Sequence, residues 1–185
     1  MNSNTRLILV LFLAGAWASC RDKPDSKEIA EKENQKSLDT RTAERDAQFV
    51  VNQVSAHYAM VDWTKPVVKV KEQRELRDLA YQLQREHLRM IDQWKEYAEN
   101  NNIVLPDSSV SSVKKEVDEF SAQDQDSAKL KSWVDDMLDK EKKMLSRLED
   151  YMANAGDPAL KVIIQAELPV IRMNRDQLMM LKSKL

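Results

Sequence analysis

Two histidines and two glutamates of this sequence fall at positions where a helical repeat would otherwise be apolar. His87 lies within residues 76–98, in a seam of alternating four- and three-residue steps. The other positions of that seam are apolar or aromatic: Leu76, Ala80, Leu83, Met90, Trp94 and Tyr97. Such a seam is the buried face of a helix packed against partner helices. His57, Glu141 and Glu167 occupy seam positions of three other segments, so all four side chains are candidates for polar residues of the core.

The depth of these residues in the core follows from their distance to the ends of their helices. A helix rises about 1.5 Å per residue, so residues can be levelled by counting from the joints between helices. This count brings Glu141 within a turn of Glu167 and places His87 near the same level. The sequence therefore predicts that these three share one core layer. By the same count His57 falls far from the layer, and the polar seam residue Asn174 lies about one turn from Glu141.

One imidazole and two carboxylates in a layer are ligands that Fe, Mn or Zn accepts. The same groups can instead form a buried hydrogen-bonded network, or the carboxylates can turn to the solvent edge. A di-iron centre in a helical bundle requires Glu-x-x-His pairs on two helices. Gln84 and Val54 stand three residues before the two histidines, which argues against a ferroxidase-type centre. The spacing favours structural or surface roles over a bound metal.

Composition argues against several other functions. Glycine occurs twice in the whole chain, and the formal net charge is −2 with acidic and basic residues interspersed. Phosphate-cradling loops need several glycines, and a nucleic-acid surface needs a basic stripe; neither pattern occurs in the sequence. The nucleophile-elbow motif of hydrolases is also missing. We therefore expect no enzyme activity and no nucleic-acid partner.

The first twenty residues are typical of a bacterial export signal. A positive residue precedes the apolar run LILVLFLAGA, and small residues follow it. Cys20, the one cysteine of the chain, stands where bacterial lipoproteins carry the cysteine that is lipidated and becomes the new N-terminus. This predicts a lipoprotein signal peptide over residues 1–19 and an N-terminal lipid that binds the outer membrane, on its periplasmic side or at the cell surface. Cleavage after Ala18 at the A-x-A site is the alternative.

The rest of the chain divides into a charged segment and a helical domain. Residues 20–40 are charged and show no sustained apolar pattern, which predicts a tether. Residues 41–185 contain four long amphipathic segments and a short one, with Pro66, Pro106 and Pro158 at the joints. We predict an all-α domain, an up-and-down four-helix bundle with a short crossover helix between its second and third long helices. The predicted helices cover residues 40–62, 70–100, 109–122, 127–154 and 158–185.

Several short motifs in a fixed order carry a resemblance to a known family. They are DAQFV at residues 46–50, LRDLA at 76–80, EH at 86–87, NIVLP at 102–106, DPALK at 157–161 and LP at 168–169. In order and spacing the sequence resembles the domain-of-unknown-function 4142 family over residues 46–185. Members of that family are ferritin-like helical proteins of the bacterial envelope, often described as outer membrane proteins. The resemblance thus implies a ferritin-like bundle in the envelope.

The resemblance also implies which positions of the family are polar. Members carry a Glu in the first helix, Asp-His in the second and a His in each of the last two. Here those positions hold Met60, Glu86-His87, Glu141 and Asn174, so only the second-helix histidine is retained. Glu86 is thereby a further candidate for a polar core residue. If the polar positions of the family bind a metal, this chain has replaced most of them.

Three functions remain open at this stage. The first is a non-enzymatic, membrane-tethered envelope protein with a binding or structural role, without a cofactor and with an envelope protein as a further partner. The second is a ferritin-like metal or redox protein that uses His87 with Glu141 and Glu167. The third is a coiled-coil adaptor, which predicts an exposed apolar stripe on residues 109–122.

Overall fold

The computed structural model describes residues 23–124 and 126–185, so the predicted signal peptide, Ala18 and Cys20 lie outside the described residues. The described part contains six α-helices, one short 3-10 helix and no strand, which confirms the all-α class. The α-helices are α1 (Ser26–Ser37), α2 (Arg41–Thr64), α3 (Arg74–Asn100), α4 (Ser111–Ser121), α5 (Ser127–Met152) and α6 (Pro158–Lys182), and the 3-10 helix is Val67–Lys69. None of the described helices is both long and apolar enough to cross a lipid bilayer.

Side chains that accept hydrogen bonds from the first turn fix the starts of three long helices. Thr40 accepts from the backbone N–H of the third residue after it at the start of α2, with an N···O distance of 3.1 Å. Asp126 does the same for α5 at 2.8 Å, and Asp157 caps α6 at 2.8 Å just before Pro158. Each cap pairs one of the N–H groups that a helix start leaves free, which stabilises the helix by about 1 kcal/mol.

Four long helices, α2, α3, α5 and α6, pack around one shared core. Helix α2 contacts α3 and α5, and helix α6 contacts the same two helices, so the contacts form a closed ring. Each aliphatic side chain that is removed from water here contributes about 1.5–3 kcal/mol. The largest fully buried side chains come from all four helices: Met60, Leu76, Leu83, Met90, Ile91, Trp94, Leu130, Trp133, Met137, Met144, Leu148 and Leu160.

Contacts near both ends of the helices set their directions. Asp46, near the start of α2, meets Tyr151 at the end of α5, and the carbonyl of Trp63 at the end of α2 meets Trp133 near the start of α5. These two helices are therefore antiparallel. Helix α3 is antiparallel to both α2 and α6 by the same kind of contact: Phe49 with Trp94, His57 with His87, Gln82 with Gln177, and Tyr97 with Asp157.

Because α3 and α5 are both antiparallel to α2, they run in the same direction. The connection from residue 101 to residue 126 must therefore return the chain along the length of the domain. The predicted up-and-down order, in which successive long helices alternate in direction, is wrong at this link. The crossover includes α4, as predicted, but its apolar face is covered: Val117 and Phe120 are buried, and the Phe120 ring packs edge-on against Trp63. The prediction of an exposed apolar stripe on residues 109–122, which a coiled-coil adaptor requires, is therefore wrong.

The prediction of a tether over residues 20–40 is wrong from Ser26 to Ser37, because α1 packs along α2 and holds the crossover. Asn34 is buried in this contact, where its amide donates to the carbonyl of Val104 and accepts from the Val104 N–H, both at 2.8 Å. One side chain thereby satisfies both backbone groups of a residue that lies outside regular secondary structure. The apolar pattern of α1 is too weak to reveal this packing in the sequence.

Replacing Asn34 by alanine should lower the free energy of unfolding by about 1–3 kcal/mol, because both backbone groups of Val104 lose their partner. Denaturant unfolding followed by circular dichroism measures the change. Gln35→Ala is the matched control on the exposed side of the same helix and should be nearly neutral. Equal stabilities of the two variants would contradict this role of α1.

Candidate functional site

The core contains a cluster of four polar side chains, one from each long helix. His57 comes from α2, His87 from α3, Glu141 from α5 and Glu167 from α6, and each is at most 2% exposed. The Nδ1 atoms of the two histidines lie 3.0 Å apart. The Nε2 of His87 lies 3.1 Å from Oε1 of Glu141 in hydrogen-bonding geometry. We call these four residues the His–Glu cluster.

The structure places His57 in direct contact with His87, so the prediction that His57 falls far from the layer is wrong. His57 lies seven residues before the end of α2, whereas His87 lies thirteen residues after the start of α3. At about 1.5 Å per residue the two helix ends are offset by roughly 9 Å. Counting from the joint assumes that the end of α2 and the start of α3 lie at the same height. The 3-10 segment between them offsets the two ends, so the count fails.

Glu167 belongs to the cluster, as predicted, but its contact is with His57 rather than with His87. Its Oε1 lies 3.1 Å from Nε2 of His57, within ion-pair distance but not aligned as a hydrogen bond. Its Oε2 accepts a hydrogen bond of 2.8 Å from the indole N–H of Trp94. Arg147 on α5 adds a positive charge nearby: burial lowers the pKa of Arg147, and the carboxylate of Glu167 partly offsets that effect.

The contacts form a line, Glu141–His87–His57–Glu167, that crosses the core between helices α5 and α6. Buried carboxylates are costly unless hydrogen bonds or opposite charges replace their water. The imidazole of His87 supplies such a partner for Oε1 of Glu141, and the indole of Trp94 supplies one for Oε2 of Glu167. Among the described residues, Oε2 of Glu141 has no hydrogen-bond partner. A line of this kind can hold protons and pass them between neighbouring groups, but it is closed to solvent on all sides.

The placement of the ligand atoms tests whether the cluster fits a metal ion. Protein metal sites need three or more donors that converge on one point. Within residues 23–124 and 126–185 no group of three or more His, Cys, Asp or Glu side chains does so. Each ring nitrogen of His57 and His87 faces a different partner instead. As they are placed, His87, Glu141 and Glu167 do not fit a shared metal ion.

The remaining polar candidates divide between surface and core. Glu86 is half-buried at the domain edge, where it accepts from Arg89 at 3.3 Å, so its prediction as a core residue is wrong. Successive residues of a helix are rotated by about 100° about its axis, so the neighbour of a seam residue faces away from the core.

Asn174 is fully buried as predicted, and neither of its amide atoms has a partner in the described part of the chain. Gln53, equally buried and unpaired, was missed, although its four-residue spacing from His57 was a usable signal.

A second polar group lies at the end of the domain where α2 begins. Tyr151 donates to the buried carboxylate of Asp46 at 2.5 Å, and Tyr97 donates to Asp157 at 2.7 Å. Burial raises the pKa of both tyrosines well above the usual range, and the carboxylate that each one contacts raises it further. Both phenols therefore stay protonated at neutral pH and act as hydrogen-bond donors that tie the ends of the long helices together.

Comparison with known proteins agrees with this helical architecture. A family model described as a domain of unknown function, DUF4142, matches residues 32–181. This chain belongs to the DUF4142 family. The match confirms the resemblance seen in the sequence motifs. It also begins within α1 of this DUF4142 protein, in agreement with the packing of that helix against the domain.

A solved structure shares the fold of the DUF4142 chain. It is described as the crystal structure of a DUF305 fragment from Deinococcus radiodurans, with a TM-score of 0.67 and 16% sequence identity. The alignment covers 79% of this chain and 98% of that one. At this identity the likeness concerns the fold alone. No curated protein sequence matches the DUF4142 chain.

The bond from Trp94 to Glu167 should matter more than an equivalent bond to a neutral acceptor. Trp94→Phe leaves a buried carboxylate oxygen without its donor and should lower the free energy of unfolding by about 1–3 kcal/mol. Trp133→Phe is the matched control, since Trp133 is as deeply buried but donates to the backbone carbonyl of Trp63 at 2.8 Å. A loss nearer 0.5–1.5 kcal/mol, roughly that of a neutral hydrogen bond, is expected there. Denaturant unfolding of both variants measures the two losses, and a smaller loss for Trp94→Phe than for Trp133→Phe would contradict this role of the Trp94–Glu167 bond.

Proposed function

We propose that this protein is a lipid-anchored component of a bacterial cell envelope whose helical domain has a binding or structural role and performs no catalysis. Three features support the proposal. The sequence begins with an export-type signal, and its one cysteine, Cys20, follows the apolar run of that signal. The chain is a DUF4142 member. The third feature, the enclosure of the His–Glu cluster, carries the non-catalytic part.

A catalytic side chain has to reach its substrate. The four cluster side chains are the strongest candidates for acid–base chemistry in the described core, and their exposed fractions are only 0–2%. Apart from Oε2 of Glu141, their polar atoms are directed at one another and at Trp94. Aliphatic and aromatic side chains of all four long helices surround them. The cluster is thus suited to hold the helices in one arrangement rather than to transform a ligand.

We also assign the four long helices to a ferritin-like four-helix bundle. The closed ring of helix contacts supports this assignment. So does the long connection between α3 and α5, because ferritin-like folds contain one long crossover of this kind. In such an arrangement the outward faces of the helices form the surface that an envelope protein partner would bind. Helix α1 joins the domain to the anchored N-terminal end of the chain.

The anchor is tested by Cys20→Ser in the full-length chain expressed in a bacterial host. The unaltered protein should partition into the detergent phase, and its mature N-terminal peptide should carry an acyl-modified cysteine by mass spectrometry. Cys20→Ser should move the protein to the aqueous phase, because the thiol that accepts the lipid is gone. Ser19→Ala is the matched control and should leave the partition unchanged. An unmodified N-terminus at Ser19 would show cleavage after Ala18 and would contradict the lipid anchor.

The alternative, a ferritin-like metal or redox protein using His87, Glu141 and Glu167, is tested by elemental analysis. Protein purified without a chelator and without a histidine tag should contain Fe, Mn and Zn well below one atom per chain, because three donors do not converge in the cluster. His87→Ala serves as the comparison, and its metal content should be the same. Stoichiometric metal that is lost in His87→Ala would contradict the non-catalytic proposal and favour the alternative.

A further inference from the structure

Helices α2 and α5 leave a cleft between them, because they are the most loosely packed neighbouring pair in the ring of long helices. The cleft has a volume of about 210 Å³, and α4 contributes Val113 and Glu116 to its lining. Its other apolar lining comes from α2 and α5: Ala56, Ala59, Met60, Trp63 and Met144. Pockets for drug-sized ligands measure ~300–1,000 Å³, so this cleft fits a small molecule or one end of a longer one.

Three basic side chains of α5 line the same cleft. Lys140, Lys143 and Arg147 follow one another at steps of three and four residues, so they share one face of the helix. Like charges at this spacing repel each other and destabilise the helix. Among the described residues of the lining, Glu116 is the one acidic side chain. The cleft therefore presents three positive charges against one negative charge.

The three basic groups differ in the partners that they already have. The Nζ of Lys143 lies 2.6 Å from a carboxylate oxygen of Asp139. The Nζ of Lys140 lies 4.9 Å from the centre of the Trp63 ring, which is a cation–π contact. Arg147 makes no hydrogen bond and no ion pair within the described part of the chain, although burial lowers its pKa. Its guanidinium has thus lost part of its water without gaining an acceptor, and its exposed part can meet a ligand.

The indole of Trp63 is a second donor without an acceptor in the lining of the cleft. Trp63 is 7% exposed, and its buried N–H has no hydrogen-bond partner among residues 23–124 and 126–185. Buried indole N–H groups usually have one, as those of Trp94 and Trp133 do. Guanidinium and indole are donors only, so both make the potential in the cleft more favourable for a negative charge.

We propose that the cleft between α2 and α5 binds a small organic anion, whose carboxylate or phosphate head pairs with Arg147 and whose short apolar end lies against Met60 and Met144. A guanidinium suits such a head because it donates two parallel hydrogen bonds to a carboxylate or a phosphate. Lys140 and Lys143 add attraction as point charges. This inference rests on the binding role proposed for the domain, to which it assigns a class of ligand, and it does not depend on the lipid anchor.

Calorimetric titration with octanoate tests the site. The mature chain carries Cys20→Ser for this purpose, so that no covalent lipid competes with the probe. Octanoate should bind with a dissociation constant below about 1 mM. Octanol has the same chain without the charge, and acetate has the charge almost without the chain, so each should bind at least about tenfold more weakly. Octyl phosphate distinguishes the two heads, since tighter binding than that of octanoate assigns the site to a phosphate and weaker binding to a carboxylate.

Two variants separate the charged head from the apolar end. Arg147→Gln should weaken octanoate binding about 10- to 100-fold, because it removes a charge-assisted pair of hydrogen bonds. Ala59→Leu keeps every charge but fills the cleft, and it should weaken binding at least about tenfold. Arg172→Gln is the matched control, because Arg172 lies on α6, outside the lining of the cleft, and pairs with Glu149. It should bind octanoate as the parent chain does.

Two results would overturn the proposal. The first is the absence of saturable binding of both octanoate and octyl phosphate below about 10 mM. The second is equal affinity of Arg147→Gln and Arg172→Gln for the probe. Neither result would affect the lipid anchor, because detergent partition of the full-length chain tests the anchor separately.

Discussion

The constraint on which this fold depends is the burial of two carboxylates and two imidazoles in a core that is otherwise apolar. Removing a carboxylate from water costs several kcal/mol, and the cost is recovered only where a donor or a positive charge takes the place of water. In this domain the donor for each carboxylate sits on a different helix from the carboxylate itself. The cluster is therefore stable only when all four long helices are in place.

This dependence gives the cluster a role that apolar packing alone does not perform. Apolar seams tolerate a shift of one helix along another, because after the shift one apolar side chain fills the place of another of similar volume at modest cost. A shift of one turn, about 5.4 Å, would separate His87 from Glu141 and leave a buried carboxylate without a donor. Breaking such a pair typically costs about 3–5 kcal/mol. The cluster therefore fixes the register of the helices, while the leucines and tryptophans supply most of the stabilisation.

The sequence predicts the elements of this domain better than it predicts their arrangement. The seams correctly indicate that His87, Glu141 and Glu167 are buried, because a three-four repeat fixes the inner face of a helix whatever lies around it. The position of His57 was mispredicted because it depends on the offset between α2 and α3, which a short 3-10 segment sets. The direction of α5 and the packing of α1 depend on contacts between distant residues, such as Asn34 with Val104, that leave no periodic trace. The pairing of two imidazoles through Nδ1 is likewise a property of the assembled core.

The most direct test of the central claim is a double-mutant cycle between His57 and Glu141, which do not contact each other but are joined through His87. The free energies of unfolding of His57→Phe, Glu141→Leu and the double variant are compared with that of the unaltered chain. If the cluster acts as one connected line, the effects should be non-additive, with a coupling of about 0.5–3 kcal/mol. Additivity within about 0.3–0.5 kcal/mol would show independent sites and contradict the account.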